Sequence, residues 1–128
     1  MKATDRKISG QTLLEFALVL PVLAMILIMI FDLGRAVYYY SVIYNAACEG
    51  ARYGITNPLD TDGIEAKARQ FSYGLNPANI SVSRFIPEPT KIRVTVSYWF
   101  VPATPFLYVF MGSQNIEIQS QSTMRIEQ

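Results

Sequence analysis

Hydrophobic and polar positions follow three different rules along this chain. Residues 16–31 read FALVLPVLAMILIMIF, with no charge and no strongly polar side chain. A run apolar on every side predicts a helix with no polar face to turn to water. At about 1.5 Å per residue, a helix over residues 13–31 covers just under ~30 Å, enough to span a bilayer core. Past residue 31 the pattern becomes one-sided. Ala36, Tyr40, Ile43, Ala47, Gly50, Ala51 and Gly54 recur at intervals of three and four. That spacing continues the helix with a single packing face. The face is small in its C-terminal half and admits another backbone closely. Packing against the chain's own sheet is favoured over packing against a neighbouring helix. Gly54 is expected to end the helix, with Asn57-Pro58 as the turn. Residues 60–74 predict a second, short helix, capped by Thr61 or Asp62, with Ile64, Ala68 and Phe71 on one face.

From residue 80 the period changes to two. ISVSRFI alternates, and KIRVTVSYWF alternates more cleanly. Ile92, Val94, Val96 and Tyr98 point one way, and Lys91, Arg93, Thr95 and Ser97 the other. NIEIQSQSTMRIE, from Asn115, predicts a third and more polar strand. Residues 87–89 are expected to turn the chain between the first two. This pattern fits an antiparallel meander with one wet face. The fold class is therefore α+β: a long N-terminal hydrophobic helix, then a small domain with a short helix and a three-stranded antiparallel sheet. Residues 101–113, VPATPFLYVFMGS, fit neither rule. Pro102 and Pro105 argue against a regular strand, yet the segment is too apolar for a free loop. It either tucks onto the sheet or forms a contact patch for a partner subunit. Phe106, Leu107 and Phe110 are the candidate contacts.

Composition narrows the chemistry. The chain has 128 residues, room for one small domain, and 51% of them are hydrophobic. There is no histidine, so the commonest general base and metal ligand is missing. The single cysteine, Cys48, excludes an intramolecular disulfide and reads as a small packing residue. A net charge of +1 argues against a nucleic-acid footprint. Asp60, Asp62 and Glu65 cluster only at a turn and helix start, where capping and the helix dipole account for them. No enzymatic activity, cofactor, metal or small-molecule substrate is expected.

The N-terminus, MKATDRKISG, carries Lys2, Arg6 and Lys7 against Asp5. A basic stub before an apolar run also opens a secretory signal. This run is longer than a usual signal core of about 7–15 residues, and no small-residue cleavage site follows it. An anchor is the better reading, with the basic flank in the cytoplasm and the C-terminal part exported. Two residues remain odd in a plain anchor. Glu15 places a carboxylate just inside the apolar run, at a cost on the order of a few kcal/mol unless it finds a partner. Pro21 frees a carbonyl and is expected to kink the helix. Tyr38, Tyr39, Tyr40 and Tyr44 follow the run, as membrane-interface residues or as subunit contacts.

Four ordered elements now carry a resemblance: G-Q-x-x-x-E-F from Gly10, A-L-V-L-P from Ala17, D-x-G-R-A from Asp32 and N-A-A-x-E-G-A-R-Y from Asn45. Together they make residues 10–54 resemble the TadE-like pseudopilins and minor pilins of bacterial tight-adherence (Flp) pilus systems. The resemblance implies a leader over residues 1–10, cut between Gly10 and Gln11 by a prepilin peptidase. A helix over residues 11–54 would then serve as membrane segment and assembly element, with residues 55–128 as the exported domain. It implies that Glu15 pairs with the N-terminal amine of a neighbouring subunit. The implied partners are the peptidase, the pilus assembly platform, other pilin subunits and, before assembly, membrane lipid. The implied location is the inner membrane, and after assembly an extracellular pilus. Two other readings stay open: the main subunit of such a filament, and a membrane-anchored binding domain that never polymerises.

Overall fold

The computed structural model describes residues 5–126. The first four residues of the expected leader, and the side chains of residues 5–9 and of Phe106, lie outside the described residues. The chain is α+β, with one very long helix, shorter helices and a three-stranded antiparallel sheet. Helix α1 covers Asp5–Thr56 and passes through Pro21, which has no N–H to donate to the Ala17 carbonyl. Its 52 residues amount to roughly 78 Å of helix. It starts before Gly10 and continues past Gly54. Gly54 does not end it, because that residue is buried beneath the sheet rather than placed at a turn. A Cβ there would lie 2.5 Å from Ile92 Cδ1 and 3.3 Å from Ile64 Cδ1.

Helix α2 spans Thr61–Gln70 and buries Ile64 and Ala68 against α1. Its cap is Asp60, not Thr61 or Asp62: Asp60 Oδ1 accepts from the Gly63 amide at 2.9 Å. The Tyr53 hydroxyl donates to the other oxygen at 2.8 Å, which fixes the turn onto α1. The Gly63 amide, then the Tyr53 hydroxyl, hold the Asp60 carboxyl below its ordinary value. At the other end, Arg69 pairs with Glu65 at 2.8 Å and donates to the carbonyls of Pro77 and Ile80. It thereby ties α2 to the start of the sheet.

Strands β1 (Ile80–Glu88), β2 (Lys91–Phe100) and β3 (Ile116–Arg125) pair in that order. The first turn falls on Pro89 and Thr90, so β1 runs through Pro87. The register shifts between Phe85 and Glu88, and such an irregularity accommodates a residue that cannot donate to the ladder. The central strand is the most buried. Ile92, Val94, Val96, Tyr98 and Phe100 form the core with Ile43, Ala46, Ala47 and Ala51 of α1. Packing against the chain's own sheet is thus what the small helix face does. Tyr40, counted in that face from its spacing, is half exposed, and Tyr39 packs on the core instead.

Candidate functional site

Two features distinguish α1 from an ordinary core helix, one at each end of its apolar run. The first is bare surface. Leu13, Phe16, Leu18, Ile30 and Phe31 are 60–72% exposed, and the domain covers none of the most apolar stretch. In length and composition α1 can cross a membrane. The glycines differ along the helix in the same sense. At Gly50 a Cβ would meet Val94 at 3.2 Å and Ala68 at 3.3 Å, whereas at Gly10 and Gly34 it would meet nothing within 4 Å. Glycine in a helix interior costs about 1 kcal/mol relative to alanine. At Gly10 no packing contact explains that cost. The next residue, Gln11, donates from Nε2 to Glu15 Oε1, one turn further on, at 3.2 Å on the exposed surface.

The second feature is Asp32, directly after the apolar run. Its spacing from Arg35 implies a surface pair, and the two do approach to 3.6 Å. Asp32 itself, however, is 2% exposed. Its Oδ1 accepts from the Ala103 amide at 3.0 Å and its Oδ2 from the Thr104 amide at 2.7 Å. The Thr104 hydroxyl also donates to Oδ2. A carboxylate satisfied by three donors and an adjacent guanidinium is tolerated in a buried position. The interaction joins residues 71 and 72 positions apart and clamps the proline-flanked insertion onto α1. Arg35 lies over Phe100 at 5.3 Å and Tyr39 at 5.7 Å and donates to the Tyr39 hydroxyl at 3.3 Å.

Beyond the clamp, residues Pro105–Met111 form a helix, α3, which the pattern of the sequence does not announce. Gly112, at φ 67°, ends it in the left-handed region that favours glycine. Pro102 and Thr104 are buried, Leu107 and Tyr108 are half-buried, and Val109, Phe110 and Met111 are exposed. The insertion therefore both tucks in and leaves an apolar surface. Between α1, α3 and the sheet lies an apolar cavity of about 320 Å³. Among the described residues, no group of three or more His, Cys, Asp or Glu side chains is placed to hold a metal ion.

Residues 10–52 match the family model described as TadE-like protein. This part of the chain is similar to that family. No curated protein and no solved structure matches the chain. The TadE-like match agrees with the resemblance seen in the sequence and lies wholly within α1. It suggests a pilus-associated protein of a structural rather than enzymatic family, and with the apolar helix it fits a membrane-anchored single-pass chain. Gly10, Gln11, Glu15, Pro21 and the four tyrosines all fall inside the TadE-like segment. Of the tyrosines, Tyr39 packs edge-on against Tyr98 and Phe100, while Tyr38, Tyr40 and Tyr44 are about half exposed. Asp32 and Arg35 also lie within the matched residues, but Ala103 and Thr104 lie outside them. The clamp was invisible in the sequence because its two halves share no local pattern.

Proposed function

We propose that this protein is a minor pilin or pseudopilin of a tight-adherence-type pilus. It enters the membrane as a single-pass precursor with its basic end in the cytoplasm. A prepilin peptidase cuts it after Gly10, and it assembles through the bare half of α1, into or at the base of an adhesive fibre. The observation that carries this reading is the combination at the start of α1. A glycine that no contact among the described residues requires precedes a helical surface whose most apolar stretch none of them covers, with one carboxylate set into it.

Each part has a physical task. In lipid the apolar surface is satisfied. Once the subunit leaves the bilayer it must be buried against other subunits, and hydrophobic burial then drives assembly. Cleavage creates an ammonium at Gln11. A Glu15 carboxylate facing the ammonium of a neighbour is far less costly in an apolar core than either group alone. Pro21 kinks the helix where neighbours can satisfy the freed carbonyl. The exposed tyrosines contribute contacts at the membrane boundary or between subunits. The energy for extrusion comes from a separate ATPase in the assembly platform.

Glu15→Ala tests the assembly step. The variant is expected to be cleaved normally and to fold normally, because Glu15 lies on the exposed surface, where it accepts from Gln11. It should fail to co-purify with assembled pilus material, in sheared fibres or in the membrane complex. Wild-type levels of co-purification would remove the pairing role of Glu15.

A further inference from the structure

The uncharged run of α1 is not the only uncharged stretch. Residues 94–116 also contain no Asp, Glu, Lys or Arg, and three observations place the two stretches together. Asp32, the first residue past the apolar run, binds Ala103 and Thr104. Helix α3 therefore begins at the level where α1 leaves the apolar layer. Leu107 and Met111, one turn apart on α3, line the same cavity as Met29 and Leu33, one turn apart on α1. So α3 lies alongside the last turn of the bare helix. Finally, the β2–β3 ladder pairs Phe100 with Ile116 at this pole and Lys91 with Arg125 at the far one. Of the strand charges, Glu117, paired with Trp99, lies at this pole, whereas Lys91, Arg93 and Arg125 lie towards the far one.

At this pole Val109 is 85% exposed and Phe110 81% exposed. Large apolar side chains this bare are unfavourable facing water and favourable facing hydrocarbon. Trp99 is partly exposed nearby in the sequence, at the end of β2. Its amphipathic ring suits the headgroup layer.

We propose that α3 is a second membrane contact, which dips Val109 and Phe110 into the leaflet on the domain's side and seats the domain on the lipid surface. Lipid is the occupant because the patch is continuous with the surface of α1 that already faces lipid, and because the insertion that carries it has no charged residue. A single helix through a bilayer leaves its domain free to swivel. A second contact beside it, locked by Asp32, fixes one face of the sheet towards the membrane until α1 is withdrawn. The inference rests on α1 crossing the bilayer, and its test separates the two claims.

Cys48 is the single cysteine, so a Cys48→Ala background accepts spin labels at chosen sites. Full-length chains are labelled at Val109→Cys, Leu20→Cys and Leu59→Cys and reconstituted into phosphatidylcholine–phosphatidylglycerol vesicles. Collisions with oxygen, which concentrates in lipid, are compared with collisions with a water-soluble nickel chelate. The Val109 label should favour oxygen, as the Leu20 label does, while the Leu59 label favours nickel. A Val109 label that behaves like Leu59, with Leu20 still in lipid, overturns the α3 contact and leaves the anchor standing. A Leu20 label open to nickel overturns both. Spin–spin broadening at Val109 that disappears on dilution with unlabelled protein shows a second copy on α3, and the lipid assignment fails.

Discussion

Helix α1 holds two regions that solve opposite problems. Over residues 13–31 the side chains are mostly large, Leu, Val, Ile, Met and Phe, and all but Met29 are exposed. Over residues 43–54 the inward positions shrink to Ala and Gly, and the sheet lies directly on them. The backbone is the same helix in both. The difference teaches that side-chain volume on a helix encodes the distance of its partner. Small residues accept an adjacent sheet in the same chain. Large ones leave a surface that only lipid or other subunits cover. Asp32 and Arg35 stand where one regime gives way to the other.

Breaking that boundary should have the largest effect on the fold. Asp32→Ala leaves two amides and a hydroxyl without their acceptor, at about 1–3 kcal/mol for a typical buried donor. A loss on the order of 3 kcal/mol is expected in urea unfolding of the full chain in detergent micelles, with faster amide exchange at Ala103 and Thr104. A stability within error of the wild type would show that the clamp is dispensable. Next comes the packed half. Gly54→Val forces a branched side chain into Ile92 and Ile64, and overpacking of this kind costs about 1–3 kcal/mol. A substitution at the unpacked glycine of the boundary has the opposite sign. Gly34→Ala meets no neighbour and should stabilise the helix by up to about 1 kcal/mol. Equal effects at the two glycines would erase the distinction between the halves.

The smallest effect concerns pH. Hydrogen bonding to the Gly63 amide and the Tyr53 hydroxyl lowers the Asp60 carboxyl in the folded chain. Its contribution to stability is therefore fully present above the ordinary carboxylate value and is lost as pH falls through the lowered one. Asp60→Asn should flatten the acid limb of the stability profile slightly. An unchanged limb would mean that Asp60 contributes nothing through its charge.

Elements with a regular period were legible in the sequence. The all-apolar run, the three-and-four spacing and the alternation around Ile92 each report a partner on one side or on none. What lacked a period was not legible. Helix α3 has seven residues and begins at a proline, too short and too uniformly apolar to display a face. Asp32 advertised its neighbour Arg35 but not Thr104, because a contact across 72 positions leaves no local trace. Thr61 was as plausible a cap as Asp60 by residue type, and the hydroxyl of Tyr53, seven residues earlier, decides between them. The candidate site itself was legible as residues. The structure adds that, among the described residues, nothing packs where a Cβ of Gly10 would lie, and that Glu15 lies on open surface.

The most direct measurement is the mass of the N-terminal peptide, taken from the membrane fraction and from fibres sheared off intact cells. The account predicts a peptide beginning at Gln11 with a free amine, in membranes and in assembled material alike. A mass lower by one ammonia would indicate a cyclised Gln11, which abolishes the ammonium and with it the pairing of Glu15. A peptide beginning at Met1 throughout would contradict the account and leave an anchored domain whose bare helix serves lipid alone.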